Sequence, residues 1–215
     1  MHIIYFTPYA LDGNLGREYN YNMSLLENDD DWGVIQDGDT MFLTFDWGHH
    51  IAEVIKKIPN AGIITCKTNR IRQKQQIHNE PSPNILVHRI IAKDLDKQFR
   101  GGFRNINKHI SGFFMAIKKQ TWKELGGFPE KKGVLLTIDN AFSKKVLRSD
   151  KGIYLMRGLY KFHYYRFAEG WNYTEHLRSA IDYVKNNPVN PAERRRKLRE
   201  KNKMRKSAIQ RRRKK

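Results

Sequence analysis

Strand-like apolar runs and helix-like amphipathic stretches alternate almost one for one along this chain, an order that suits a sheet flanked by helices. The run "HIIYFT" reads as a buried strand stopped by Pro8, after which Leu15, Tyr19, Met23 and Leu26 fall at helical spacing. Beyond a polar break, "VIQ" is a short strand. Asp46 is placed to cap a helix whose Ile51, Val54, Ile55 and Ile58 make one apolar stripe, and "PNAGIIT" turns into another buried strand. Residues 67–82 are polar and basic, a surface excursion; "NILVHRIIAKDLDKQF" suits strand or helix; the paired glycines of "RGGFRNINKH" suit a mobile loop. "SGFFMAIKK" reads as a strand, "KQTWKEL" as a short helix stopped at Gly126, and "IDNAFSKKVLRSD" as a helix with Thr137 as candidate N-cap. "GIYLM" and "LYKFHYYRF" are expected to be strands either side of a turn at Gly158, followed by a helix, "TEHLRSAIDYVKNN", that ends at Pro188. The expected class is α/β with a largely parallel sheet, in which ligands sit at the carboxyl ends of the strands.

Charge divides the chain in two. Of a formal net charge of +19 over 215 residues, residues 194–215 carry 14 lysines and arginines against one acid, Glu200, while the other residues carry only +6. The organisation expected is a domain over 1–187 and a basic tail over 188–215, a frayed helix or disordered arm that orders on a polyanion. DNA, RNA and an anionic membrane surface all qualify as partners, and a merely solubilising tail is the plain alternative. No apolar run approaches the roughly 20 residues that span a bilayer. The start lacks the features of a signal peptide, and the single Cys66 rules out an internal disulfide or a multi-cysteine metal site, so cytoplasm is the expected compartment.

The segment "VIQDGDTMFLTFDWG" over 34–48 holds the chemistry. Asp37 and Asp39 flank Gly38 between apolar runs, a strong hairpin signal because Asp and Gly tolerate positive φ. The same two carboxylates, one residue apart at the end of a strand, suit hard-oxygen coordination of Mg²⁺ or Mn²⁺ with substrate phosphates completing the shell. Local pattern leaves both readings standing. His49 and His50 point apart on a helix and read as surface or packing residues.

Five segments, taken in order, resemble a small glycosyltransferase of the GT-A fold, close to glycosyltransferase family 2. They are "FTPYALDGNLGREYN", "WGVIQDGDTMFLTFDWG", "SGFFMAIKKQTWKELGGF", "TIDNAFSKKVL" and "GLYKFHYYR", within residues 3–165. The resemblance implies a Rossmann-like α/β/α sandwich with a mostly parallel central sheet. It implies that Asp37 and Asp39 hold the metal and diphosphate, with His163 as a further metal ligand; a partly buried strand histidine is the simpler reading of the last. It makes Asp139 the catalytic base, against the alternative of an acid stabilising its own helix N-terminus. Pro8, Tyr9, Arg17 and Gly38 would border the nucleotide, with a core aromatic as the plain reading of Tyr9 and a surface charge that of Arg17, and Trp122, Gly126 and Gly127 would border the acceptor and sugar.

The implied activity is inverting transfer of a sugar from a UDP- or GDP-sugar to a hydroxyl, with Mn²⁺ or Mg²⁺ as cofactor. About 28 residues separate Pro8 from Asp37, fewer than the family usually has, so part of the base-binding region is reduced. The basic body and tail favour DNA with hydroxymethylated pyrimidines as acceptor, as in phage enzymes that modify their own genomes in the host cytoplasm. Phe103 and Trp122 are candidates to stack on a base and equally candidates for packing residues. A surface glycan or lipid-linked acceptor is the alternative, and a non-enzymatic nucleic-acid-binding protein a third reading.

Overall fold

The computed structural model describes residues 1–78, 80, 82–131 and 137–164. They form β1 (Ile3–Phe6), α1 (Leu15–Ser24), β2 (Trp32–Gln36), β3 (Thr40–Phe42), α2 (Trp47–Lys57) and β4 (Ile63–Thr68), then a 3-10 turn at Lys74–Gln76. There follow α3 (Ile85–Phe99), β5 (Phe103–Ile106), β6 (Phe114–Lys118), α4 (Lys119–Glu124), α5 (Ile138–Val146) and β7 (Ile153–His163). All lie within the unit Met1–Tyr165; the helix expected before Pro188 and the basic tail lie outside the described residues.

The α/β class is as expected. The strands form one sheet in the order β1-β2-β6-β4-β7-β3, with β5 also on β7. The sheet is mixed, which corrects the largely parallel sheet expected. β1–β2 and β4–β7 pair parallel, and the other four pairings are antiparallel. Apolar runs report burial on both faces, not strand direction, so β6 looks the same from sequence whichever way it runs. β1, β2, β4 and β7 nevertheless share one direction, so their carboxyl ends meet at one edge.

Alternation along the strands splits the core into two layers. Ile35, Met115 and Ile117 face Tyr19 and Met23 of α1 and Ile138, Phe142 and Val146 of α5. Val34, Phe114 and Ala116 face Ile51, Val54 and Ile55 of α2, the stripe expected from sequence. His50 joins that buried side, and the Gly101 N–H donates to its Nε2 at 3.1 Å, so it is a packing residue.

Several local expectations change. The ambiguous segment is the helix α3, and "RGGFRNINKH" contains β5 rather than a loop throughout. Gly158 makes no turn: β7 runs through it unbroken, because the Phe99 backbone crosses there and a Cβ would lie 2.7 Å from its carbonyl. Thr137 occupies the N-cap position of α5 at φ 78° without a side-chain hydrogen bond. Asp46 precedes α2 without capping it; its carboxylate pairs with Arg100.

Candidate metal centre

The buried run of β2 carries the chain to the sheet edge, where the Asp37 N–H donates to Phe113 O at 3.0 Å. The hairpin reading then fails. β3 pairs with β7, not with β2, with Thr40 opposite His163 and Phe42 opposite Lys161. Asp37, Gly38 and Asp39 therefore form a crossing past the ends of β6, β4 and β7. Thr40 Oγ1 donates to Asp37 O at 2.6 Å, and the Tyr164 N–H donates to Asp39 O at 2.7 Å, which fixes the crossing at both ends.

His163, the last residue of β7, is buried against this crossing. Its N–H donates to Asn69 Oδ1 at 2.8 Å, and Asn69 Nδ2 donates back to its carbonyl at 3.2 Å. Ring Nδ1 lies 2.9 Å from Arg70 O. A carbonyl only accepts, so Nδ1 carries the proton and Nε2 turns toward the carboxylates, 3.3 Å from Asp39 Oδ1 and 4.0 Å from Asp37 Oδ2. One ligand atom from each of the three residues falls within 4.8 Å of the others. Ligands of an octahedral ion with bonds of about 2.1 Å stand about 3 Å apart when adjacent and about 4.2 Å when opposite. The triad fits that spacing, and its histidine has the backbone-anchored tautomer typical of metal ligands.

Electrostatics separate the two aspartates. Burial raises the Asp37 carboxyl above its ordinary range, opposed by His163 and reinforced by Asp39. The His163 ring beside it holds Asp39 below its ordinary range. Lys161, buried on the same strand, is pushed down to about 8 by burial; its Nζ donates to Gln36 Oε1 at 2.6 Å and lies 4.5 Å from the centre of the Phe42 ring. Sequence reasoning passed over this lysine, although a lone cation in the apolar run "LYKFHYY" was its signal.

Asp139 opens α5 and is fixed on both oxygens. The Gly112 N–H donates to Oδ2 and the Asn140 N–H to Oδ1, each at 2.7 Å. Burial raises its carboxyl in spite of those donors. Asp139 and Asp37 lie within electrostatic reach of one another, and both act on the buried Tyr19 hydroxyl, which burial raises first of all. Gly112, also missed from sequence, permits this approach: a Cβ there would come within 2.8 Å of Asp139 Cβ.

The remaining expected residues divide. The end of β1 meets the acidic crossing, where Gln36 Nε2 donates to Thr7 Oγ1 at 3.4 Å, so Pro8 and an exposed Tyr9 follow directly beside it. A Cβ at Gly38 would meet Thr7 Cγ2 at 3.3 Å. Arg17 is already engaged, donating to Asp12 at 2.9 Å and Glu18 at 2.7 Å. Trp122 Nε1 donates to Asn20 Oδ1 at 2.9 Å, as does the Phe128 N–H at 2.8 Å. Gly126 and Gly127, at φ 67° and 62°, make the turn between them. Phe103 packs on the core edge-to-face with Tyr154. No protein-family model matches the chain, and comparison with curated proteins gives no match.

Proposed function

We propose that this chain is a metal-dependent glycosyltransferase of the GT-A type that moves a sugar from a UDP- or GDP-sugar to a hydroxyl. The observation that carries the reading is the Asp37–Asp39–His163 cluster at the carboxyl edge of the sheet, with the histidine tautomer held by Arg70 O. A half-buried carboxylate, Asp139, in electrostatic reach of that cluster adds a base to it. Helices on both faces of the sheet accord with the same family.

Asp37, Asp39 and His163 would hold Mn²⁺ or Mg²⁺, which when bound supplies neutralisation of the charge that builds on a departing nucleoside diphosphate. Asp139 takes the proton of the acceptor hydroxyl as its oxygen bonds to the anomeric carbon and the bond from that carbon to the diphosphate breaks. The two backbone donors on Asp139 keep its carboxylate oriented for that transfer. By the family resemblance the anomeric configuration inverts. The hydroxymethylated-DNA acceptor leans chiefly on the basic tail, which lies outside the described residues.

The test is incubation with Mn²⁺ and labelled UDP- or GDP-sugars, offered hydroxymethylcytosine DNA, unmodified DNA or glycan and lipid acceptors. Metal-dependent release of nucleoside diphosphate with one hydroxyl acceptor is expected, lost in EDTA and in Asp139→Asn. Transfer untouched by EDTA removes the metal assignment, and near-normal turnover in Asp139→Asn removes the base.

A further inference from the structure

Directly after the acidic crossing, the chain builds an apolar face with no counterpart in the transfer chemistry. Met41 from β3, Phe45 from the β3–α2 connection and Ile85 and Leu86 from the first turn of α3 line an open groove of about 400 Å³, with Arg89 on its wall. Phe45 is 103% exposed, Leu86 and Ile90 are 62% exposed and Met41 is 52% exposed. Phe42 and Trp47, which line the same groove, stack on one another with ring centroids 4.1 Å apart, while Phe45 stays in solvent. Asn84 caps α3, accepting from the Leu86 N–H at 2.9 Å, so the first turn that presents Ile85 and Leu86 is held in place. Contiguous apolar side chains of this size on a charged domain mark a contact surface.

Charge says what the contact is. Arg89, Lys93 and Lys97 are exposed at successive turns of α3, a ridge of about 12 Å beside the groove. Among the described residues none of the three has an ion-pair partner, and one exposed acid, Asp94, lies between them. A second copy of a chain that carries +19 is repelled by such a ridge. A nucleic-acid duplex offers phosphates but no apolar layer for Phe45, Leu86 and Ile90. An anionic leaflet offers both, phosphates at its surface and acyl chains about 5–10 Å below, and apolar wedges flanked by cations dock there.

We propose that this face docks on an anionic membrane surface, with Phe45 and Leu86 inserted among the acyl chains and Arg89, Lys93 and Lys97 at the headgroups. The crossing that carries Asp37 and Asp39 is joined to the inserted segment through β3, so docking would bring the candidate metal centre near that surface. The docking goes beyond the glycosyl-transfer reading, and vesicle binding needs no donor, so either can fail without the other.

The experiment is co-sedimentation of the full chain, at physiological salt, with phosphatidylcholine vesicles containing phosphatidylglycerol. Because the basic tail alone attracts anionic lipid, the comparison is with the charge-neutral double variant Phe45→Ser, Leu86→Ser, which leaves the tail and ridge intact. Its partition should be about tenfold weaker, with thermal stability kept. In a second variant, Phe45→Trp, emission should shift to shorter wavelength on addition of vesicles. Unchanged partition of the double variant, or no shift from Phe45→Trp, overturns the proposal. So does vesicle binding that stays intact while the double variant loses duplex-DNA binding or self-association.

Discussion

Asp139 shows how one residue's surroundings set a chemical role. Its two backbone donors favour the carboxylate, yet burial outweighs them and the net direction is upward. A base works only when deprotonated, so turnover should fall on the acid side at a pH above the usual aspartate value of about 3.9. The pH profile of kcat checks this: an acidic limb displaced upward in the wild type is expected. Asp139→Asn should lose about 10²–10⁴ in kcat with donor affinity retained. A profile flat down to pH 4 contradicts the assignment. The same residue on a solvated helix end would only stabilise the helix, and from sequence the two cases cannot be told apart. Burial and the donation from Gly112, 27 positions upstream, set this carboxylate apart from a solvated helix end and support the base proposed for it.

At the scale of elements, β7 joins the fold to the site, since its partners β4, β5 and β3 all meet it and His163 ends it. It passes Gly158 under the Phe99 backbone, where a Cβ has no room. Gly158→Val should therefore cost about 1–3 kcal/mol, measured by urea unfolding, with an unchanged effect if Phe99 is shortened to Leu, because the obstacle is backbone. A second joint lies at the other end of the sheet. Asp31 accepts from the His2 N–H at 2.6 Å and the Asn28 N–H at 2.9 Å, which pins the start of β1 beside β2 and lowers its carboxyl to about 2. A depressed folded pKa stabilises above the unfolded value and loses that stability as pH falls through the folded one. The advantage of the wild type over Asp31→Asn should thus be full at pH 6 and vanish between about pH 4 and pH 2, checked by denaturation at each pH. These elements also show what was legible. The α1 and α2 stripes and the acidic strand end are local periodicities, and they could be read. The direction of β6, the continuity of β7 and the tie of Asp31 to His2 depend on partners 29 or more positions away, and "ENDDDWG" looks like any polar break.

For the whole molecule, the candidate centre is a clasp as well as a site. Asp37 follows β2, Asp39 precedes β3 and His163 ends β7, so one ion held by all three would tie the end of β2 to the β3–β7 pair, from which β6 and β4 separate it in the sheet order. In the unfolded chain these groups are 124 or more positions apart for the histidine and its aspartates, so the ion binds the folded form almost alone. Linkage then fixes the effect: Mn²⁺ at a hundred times its dissociation constant should stabilise by about 2.7 kcal/mol, or about 5–10 °C in Tm for a domain of this size. The shift should shrink at low pH, because Asp37, raised by burial, must give up its proton to bind. His163→Ala should abolish most of the shift while leaving the metal-free Tm of the variant close to that of the wild type or modestly lower, since the ring also packs 5.8 Å from Phe113. Scanning calorimetry with Mn²⁺, with Mg²⁺ and with EDTA reads this out without any sugar donor. A wild-type Tm indifferent to both ions would leave the three residues as a polar corner of the sheet and remove the metal from the mechanism.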